Sequence, residues 1–134
     1  VGDVWAIVVA AGSGNRFGTA KQYEPLAGRR VIDWSLAAAV AATDGVVAVV
    51  APGSAEEAAA DRTVTGADTR SGSVRAGLAA VPDTAEVIVV HDAARPLATT
   101  ELFAAVIAAV RDGADAALPG VAVVDTLRRR DGSP

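Results

Sequence analysis

The chain has 134 residues, with 51% hydrophobic and 21% charged residues, a net charge of −4 and no cysteine. That is one domain's length, folding of which buries roughly 68% of the unfolded surface and so builds a hydrophobic core. The composition excludes a disordered chain, a disulfide scaffold and a thiolate nucleophile or metal site, and the acidic balance argues against a general nucleic-acid binder.

The first element, Val4–Ala11, is a continuous apolar run, as expected of a strand covered on both faces in a parallel sheet. A glycine-rich loop follows, Gly12 to Gly18, and then Val31–Thr43 reads as a helix stopped by Gly45. Val46–Ala51 is a second buried strand, closed by Pro52-Gly53, after which Ser54 is placed to cap a short helix whose start Glu56 and Glu57 favour. Arg62–Thr65 reads as a third strand, Ser71–Val81 as a helix, Val87–His91 as a fourth strand and Thr99–Asp112 as a long amphipathic helix. Asp115–Leu118 and Val121–Leu127 are expected to add two more strands, split by Pro119-Gly120. Neither long apolar run, Val4–Ala11 or Val46–Ala51, approaches the about 20 residues of a membrane span, and no secretory signal pattern is seen, so a soluble cytoplasmic protein is expected.

Strand and helix alternate with short connections, which is the pattern of an open α/β sheet wound on both sides, Rossmann-like and mostly parallel. The whole of 1–134 reads as a single domain. Asp131-Gly132 is a hairpin turn signal that calls for a returning strand, so an incomplete domain is expected, with a hairpin arm interrupted from about residue 121.

In open α/β sheets ligands bind at the carboxyl ends of the strands, and three loops with chemical content leave such ends. The first holds Gly12, Gly14 and Gly18 with Arg16 and Lys21. Glycines after a buried strand let backbone amides approach a polyphosphate, and the two cations add charge. Lys21 is the only lysine, the other eleven basic residues being arginine. A Walker A loop is excluded, because neither Ser nor Thr follows that lysine. A nicotinamide dehydrogenase is disfavoured, because the second strand ends in Val50-Ala51-Pro52 without an acid for a ribose.

The second loop, Gly66–Ser73, follows a strand and opens a helix. Ser73 is suited to bond a base or sugar and the Asp68 region to accept from an exocyclic amine; alternatively Ser71 is only a helix cap and Asp68 a turn former. The third, His91–Pro96, sets Asp92 just past a strand, where a carboxylate can hold magnesium, and offers Arg95 as a fork for a phosphate. The alternative there is a surface Asp–Arg pair. His91, the only histidine, has no nucleophile beside it and takes a structural or hydrogen-bonding role.

Together, Ala10-Ala11-Gly12-x-Gly14-x-Arg16 with Lys21-Gln22, Gly66-x-x-x-Arg70-x-x-Ser73-Val74-x-x-Gly77-Leu78, His91-Asp92-Ala93-Ala94-Arg95-Pro96 and Asp125-Thr126-Leu127 resemble the 2-C-methyl-D-erythritol 4-phosphate cytidylyltransferases of the non-mevalonate isoprenoid route. The resemblance implies transfer of CMP from CTP to a sugar-alcohol phosphate with release of pyrophosphate. Arg16 and Lys21 would stabilise the transition state. Ala10, Ala11, Gly12, Gly14, Asp68 and Ser73 would hold the nucleotide, Asp92 would serve Mg2+, and Arg95 and Thr126 would hold the acceptor phosphate. It also implies a homodimer in the intact family, small-molecule substrates, and neither nucleic acid nor membrane as partner. Relatives that act on ribitol 5-phosphate share most of these residues, so that acceptor stands as an alternative, as does a truncated, non-catalytic nucleotide-binding module. Two departures are visible: Ala67 stands where the family has a second glycine, and family members continue for many tens of residues past Pro134.

Overall fold

The computed structural model describes residues 2–12, 20–125 and 130. In chain order they form β1 (Asp3–Ala10), a 3-10 turn (Lys21–Tyr23), β2 (Pro25–Leu26), β3 (Arg29–Arg30), α1 (Val31–Ala42), β4 (Gly45–Val50), β5 (Arg62–Thr65), α2 (Arg70–Leu78), β6 (Ala85–Asp92) and α3 (Thr100–Arg111). Among these residues no helix is long and apolar enough to cross a membrane.

Four strands make the main sheet in the order β5-β4-β1-β6, every pair parallel. The unbroken apolar runs go where such runs must, to the middle: all six residues of β4 are buried, and in β1 Ala6, Ile7 and Val8 have no exposed surface. Pairing runs from Trp5 opposite Gly45 to Ala10 opposite Val50 on one side of β1, and from Val4 opposite Val87 to Val9 opposite Asp92 on the other. The strand period of two then sorts side chains between two cores. Val4, Ala6, Val8 and Ala10 face a layer built by Ile32, Leu36 and Ala39 of α1 and Phe103 and Ile107 of α3. Ile7, Val47 and Val49 face the opposite side, where α2 packs on β1 and β4. Each fully buried Ile or Leu contributes about 1.5–3 kcal/mol, and these layers set the helices' positions.

The doubly wound parallel sheet expected from the alternation is therefore present. Three expectations are corrected. Ser54–Glu57 forms no helix: Ser54 N–H closes a turn on Ala51 O (3.1 Å), and Glu57 N–H goes instead to Thr63 Oγ1 (3.0 Å). Tertiary bonds outbid local propensity there. Asp115–Leu118 is not a strand, nor is the described part of the next expected strand, Val121–Asp125; Thr126 and Leu127, the expected hairpin turn and the rest of the interrupted arm lie outside the described residues. Residues 115–119 line a cavity of about 420 Å³ against β6 and α3 rather than bonding to the edge of β6. An unsuspected hairpin, β2–β3, turns through Ala27 (φ 49°) and Gly28 (φ 83°). Two consecutive positive φ values mark the tight turn that matches strand twist, but Ala-Gly lacks the Asn or Asp that signals it in sequence.

Candidate active site

The chain runs outward from β1 to β4 and β5, then returns past β1 to β6, so the strand order reverses between β1 and β6. At such a switch point the loops leaving the carboxyl ends part and leave a crevice. Ala10–Gly12, Gly66–Ser73 and His91–Arg95 leave that end of the sheet.

Two of the loops touch at Gly66. A Cβ at that position would lie 2.4 Å from Ala11 Cβ and 2.8 Å from Ser73 Oγ, so the backbone after β5 approaches the end of β1 as only glycine allows. Ser73 is 2% exposed, and its hydroxyl is doubly engaged with one residue, accepting from Ala67 N–H (3.0 Å) and donating to Ala67 O (3.1 Å). Its proton is thus committed within the protein, and its described work is to shape the loop. Asp68 is exposed beside it. Thr69, not Ser71, caps α2, its Oγ1 accepting from Gly72 N–H (3.0 Å).

The third loop is anchored at Ala93, which is fully buried. Its N–H donates to Val9 O of β1 (3.0 Å) and its carbonyl accepts from Ser35 Oγ of α1 (2.9 Å). That anchoring presents Asp92 between two guanidinium groups. Oδ1 accepts from Arg70 Nε (3.1 Å) and Nη2 (2.8 Å), and Oδ2 from Arg95 Nε (3.2 Å). Partial burial works to raise the pKa of Asp92, but the bonds and charges of Arg70, and then of Arg95, outweigh it and hold the carboxyl below its ordinary value. The Asp92–Arg95 pair, the alternative reading of this loop, is present, and Arg70 makes it a triad. His91 turns away from the crevice, edge-on to Phe103 of α3 with ring centroids 5.2 Å apart. Burial lowers its pKa, with the charge of Asp92 opposing, which keeps a neutral ring in an apolar layer.

Lys21 begins the 3-10 turn and is exposed; Gln22 beside it is buried and donates from Nε2 to Ala10 O (2.7 Å) and Gly12 O (2.9 Å). The turn that carries Lys21 is thereby held against the end of β1. Gly14, Arg16 and Thr126 lie outside the described residues. Behind the crevice Arg30 bonds both Asp33 (Nη2–Oδ1, 2.6 Å) and the buried Glu57 (Nη2–Oε2, 2.7 Å), fastening the start of α1 to the loop before β5.

The described residues do not form a standing metal cage: among them no three carboxylate or imidazole groups cluster. In the His91–Arg95 loop Asp92 supplies a carboxylate. That donor set suits magnesium, which takes one or two carboxylates and completes its shell with phosphate oxygens and water, so the fit is to a cation arriving with a polyphosphate. A cation held there would compete with Arg70 or Arg95 for an oxygen of Asp92.

Sequence reasoning brought out Lys21, Asp92 and Arg95 but gave no role to Gln22 or Arg70. Both stood inside the quoted patterns, yet a buried amide and a pairing across 22 residues leave no periodic signal.

The sequence model of the 2-C-methyl-D-erythritol 4-phosphate cytidylyltransferases matches residues 4–133. The chain is 45% identical over 135 residues to the bifunctional enzyme IspD/IspF of Dinoroseobacter shibae, the match covering 93% of this chain and 34% of that protein. Among solved structures, the 2-C-methyl-D-erythritol 4-phosphate cytidylyltransferase of Thermus thermophilus superposes with a TM-score of 0.74 at 32% identity, covering 98% of this chain and 60% of that one. A 4-diphosphocytidyl-2C-methyl-D-erythritol synthase superposes with a TM-score of 0.77 at 29% identity, covering 96% and 63%. The chain thus spans about a third of the length of the curated relatives it matches.

Proposed function

The chain belongs to the 2-C-methyl-D-erythritol 4-phosphate cytidylyltransferase family, and on that premise we propose that the protein containing it transfers CMP from CTP to 2-C-methyl-D-erythritol 4-phosphate. The observation that carries the reading is the grouping of Ala10–Gly12, Gly66–Ser73 and His91–Arg95 at the crevice between β1 and β6.

In this reaction an oxygen of the acceptor phosphate attacks the α-phosphorus of CTP, and the bond from that phosphorus to the bridging oxygen breaks, releasing pyrophosphate. The attacking oxygen is anionic at neutral pH, so the protein needs no general base. Its work is positioning and the stabilisation of charge. In our reading Lys21, with Arg16, meets the charge that develops on the α-phosphate and the leaving pyrophosphate. The backbone of Ala10, Ala11, Gly12 and Gly14 lies along the nucleotide, with Asp68 toward the base and Ser73 holding the loop that faces it. Asp92 would hold Mg2+, which neutralises phosphate charge when bound, while Arg95 and Thr126 would receive the acceptor phosphate. Assembly as a homodimer belongs to the same proposal.

The test uses the intact protein with Mg2+, CTP and 2-C-methyl-D-erythritol 4-phosphate, following the diphosphate product and pyrophosphate by phosphorus NMR. Formation of both from CTP, with ATP and UTP poor substitutes, is the expected result. Absence of CMP transfer, or equal turnover with ATP, overturns the proposal. Ribitol 5-phosphate as competing acceptor decides between the two sugar-alcohol phosphates.

A further inference from the structure

We propose that Gln22 is a positioning residue whose side-chain amide clips the 3-10 turn carrying Lys21 to the carboxyl end of β1, and so fixes where that lysine stands. The proposal rests on the role given to Lys21 above and assigns Gln22 a part in it.

The geometry is specific to a primary amide. Gln22 is 6% exposed, and its Nε2 lies 2.7 Å from Ala10 O and 2.9 Å from Gly12 O. A nitrogen facing two carbonyl oxygens must be the NH2 group, and it has one hydrogen for each. The two acceptors bracket Ala11, whose Cβ faces Gly66 from the β5–α2 loop. One side chain thus ties together the last residue of β1, the first glycine of the loop after it, and the 3-10 turn. At the other end of the turn Tyr23 packs against the main core, with the guanidinium of Arg30 5.9 Å from its ring, while Gln22 fixes the end next to Lys21. The turn is three residues long, Tyr23 N–H closes it on Ala20 O (2.9 Å), and its N-cap has no side-chain hydrogen bond. Lys21 is joined to Gln22 by one peptide bond, so the clip restricts the origin of the lysine side chain. A charge meant to stabilise a transition state loses most of its effect when displaced by about 1 Å.

Substitution separates this role from bulk packing. Gln22→Met keeps the length and removes both donors. Gln22→Asn keeps the amide but withdraws it by one methylene, so at most one of the two bonds survives, and it serves should the methionine variant fail to fold. The intact protein is first treated, without nucleotide, with a lysine-specific protease. Lys21 is the only lysine of the 134 residues, so a fragment ending there reports on this turn alone. Cleavage after Lys21 is expected to accelerate about tenfold or more in both variants, since losing the bonds raises local opening. In steady-state assays with CTP, kcat is expected to fall by about tenfold or more with KM for CTP little changed. In a Lys21→Ala background, the same Gln22 substitution is expected to cost little further, because residues that act through one another are not additive.

Unchanged cleavage after Lys21 in both variants overturns the proposal, and so does a kcat loss of the same factor with and without Lys21. If the wild type does not use CTP, the functional reading fails while the protease result still decides the clip.

Discussion

Replacing Gly66 by alanine tests whether the loops of the crevice meet as closely as described. The new Cβ would lie 2.4 Å from Ala11 Cβ, 2.8 Å from Ser73 Oγ and 3.2 Å from Val49 Cγ1. Carbon atoms rest at about 3.5–4.0 Å, so the first contact must open by more than about 1 Å. None of the three neighbours yields easily. Ala11 Cβ moves only with the backbone that leaves β1, Ser73 Oγ is held twice by Ala67, and Val49 has no exposed surface. Overpacking of this kind costs about 1–3 kcal/mol. Urea unfolding of the intact protein should show a lower midpoint at an unchanged slope, which distinguishes lost stability from a change in the exposed surface. For stability Gly12→Ala is the matched control, because among the described residues a Cβ there meets nothing within 4 Å. CTP affinity measured calorimetrically should fall in the Gly66 variant, since Ala11 and the 66–73 loop are the surfaces pushed apart. A Gly66→Ala protein with wild-type midpoint and wild-type CTP affinity would refute the close approach and the pocket built on it.

Lys21→Ala should lower kcat with CTP by on the order of 100-fold or more, the cost of losing one preorganised charge at a transition state, as read by pyrophosphate release. Asp92→Asn should cost at most about 1 kcal/mol of stability, because Arg70 and Arg95 are largely exposed partners. The sign of its pH dependence follows from the lowered pKa: the carboxylate's contribution is present above the ordinary Asp range of about 4 and is lost as pH falls through the lower folded value. Unfolding curves of wild type and Asp92→Asn should therefore converge on acidification below about pH 4 and stay separated at neutral pH. Ser73→Ala leaves Ala67 N–H without its described acceptor and should cost about 1–3 kcal/mol in urea titrations, with Ser73→Thr falling between.

The layers were legible because they follow from the run length and period of apolar residues. Val4–Ala11 and Val46–Ala51 suit strands covered on both faces, and each lies within one residue of its observed limits. The failures occur where a segment's fate depends on residues far away in sequence. Glu57 carried a good signal for the first turn of a helix, yet its carboxylate is claimed by Arg30, 27 positions earlier. Residues 115–118 had strand composition but bond to no strand, and composition does not say whether a neighbour is in place. At the crevice the sequence exposed the charged groups, because Lys21 and Asp92 stand out in an alanine- and valine-rich chain. It hid the bonds that hold them: Asp92 between two guanidinium groups, and Gln22 on two carbonyls, depend on distances no spacing rule encodes.

Ser35 places the middle of α1 in an unusual evolutionary position. It is 1% exposed, lies two residues before the alanines at 37, 38 and 39, and one nucleotide change in any TCN serine codon would make it another alanine. By helix propensity that change is favourable by a few tenths of a kcal/mol. Yet it would release the carbonyl of Ala93, the anchor from which Asp92 and Arg95 project. Helix stability and loop placement thus pull in opposite directions at one buried hydroxyl. Drift toward alanine is there a route by which a well-folded descendant would mislay its chemistry.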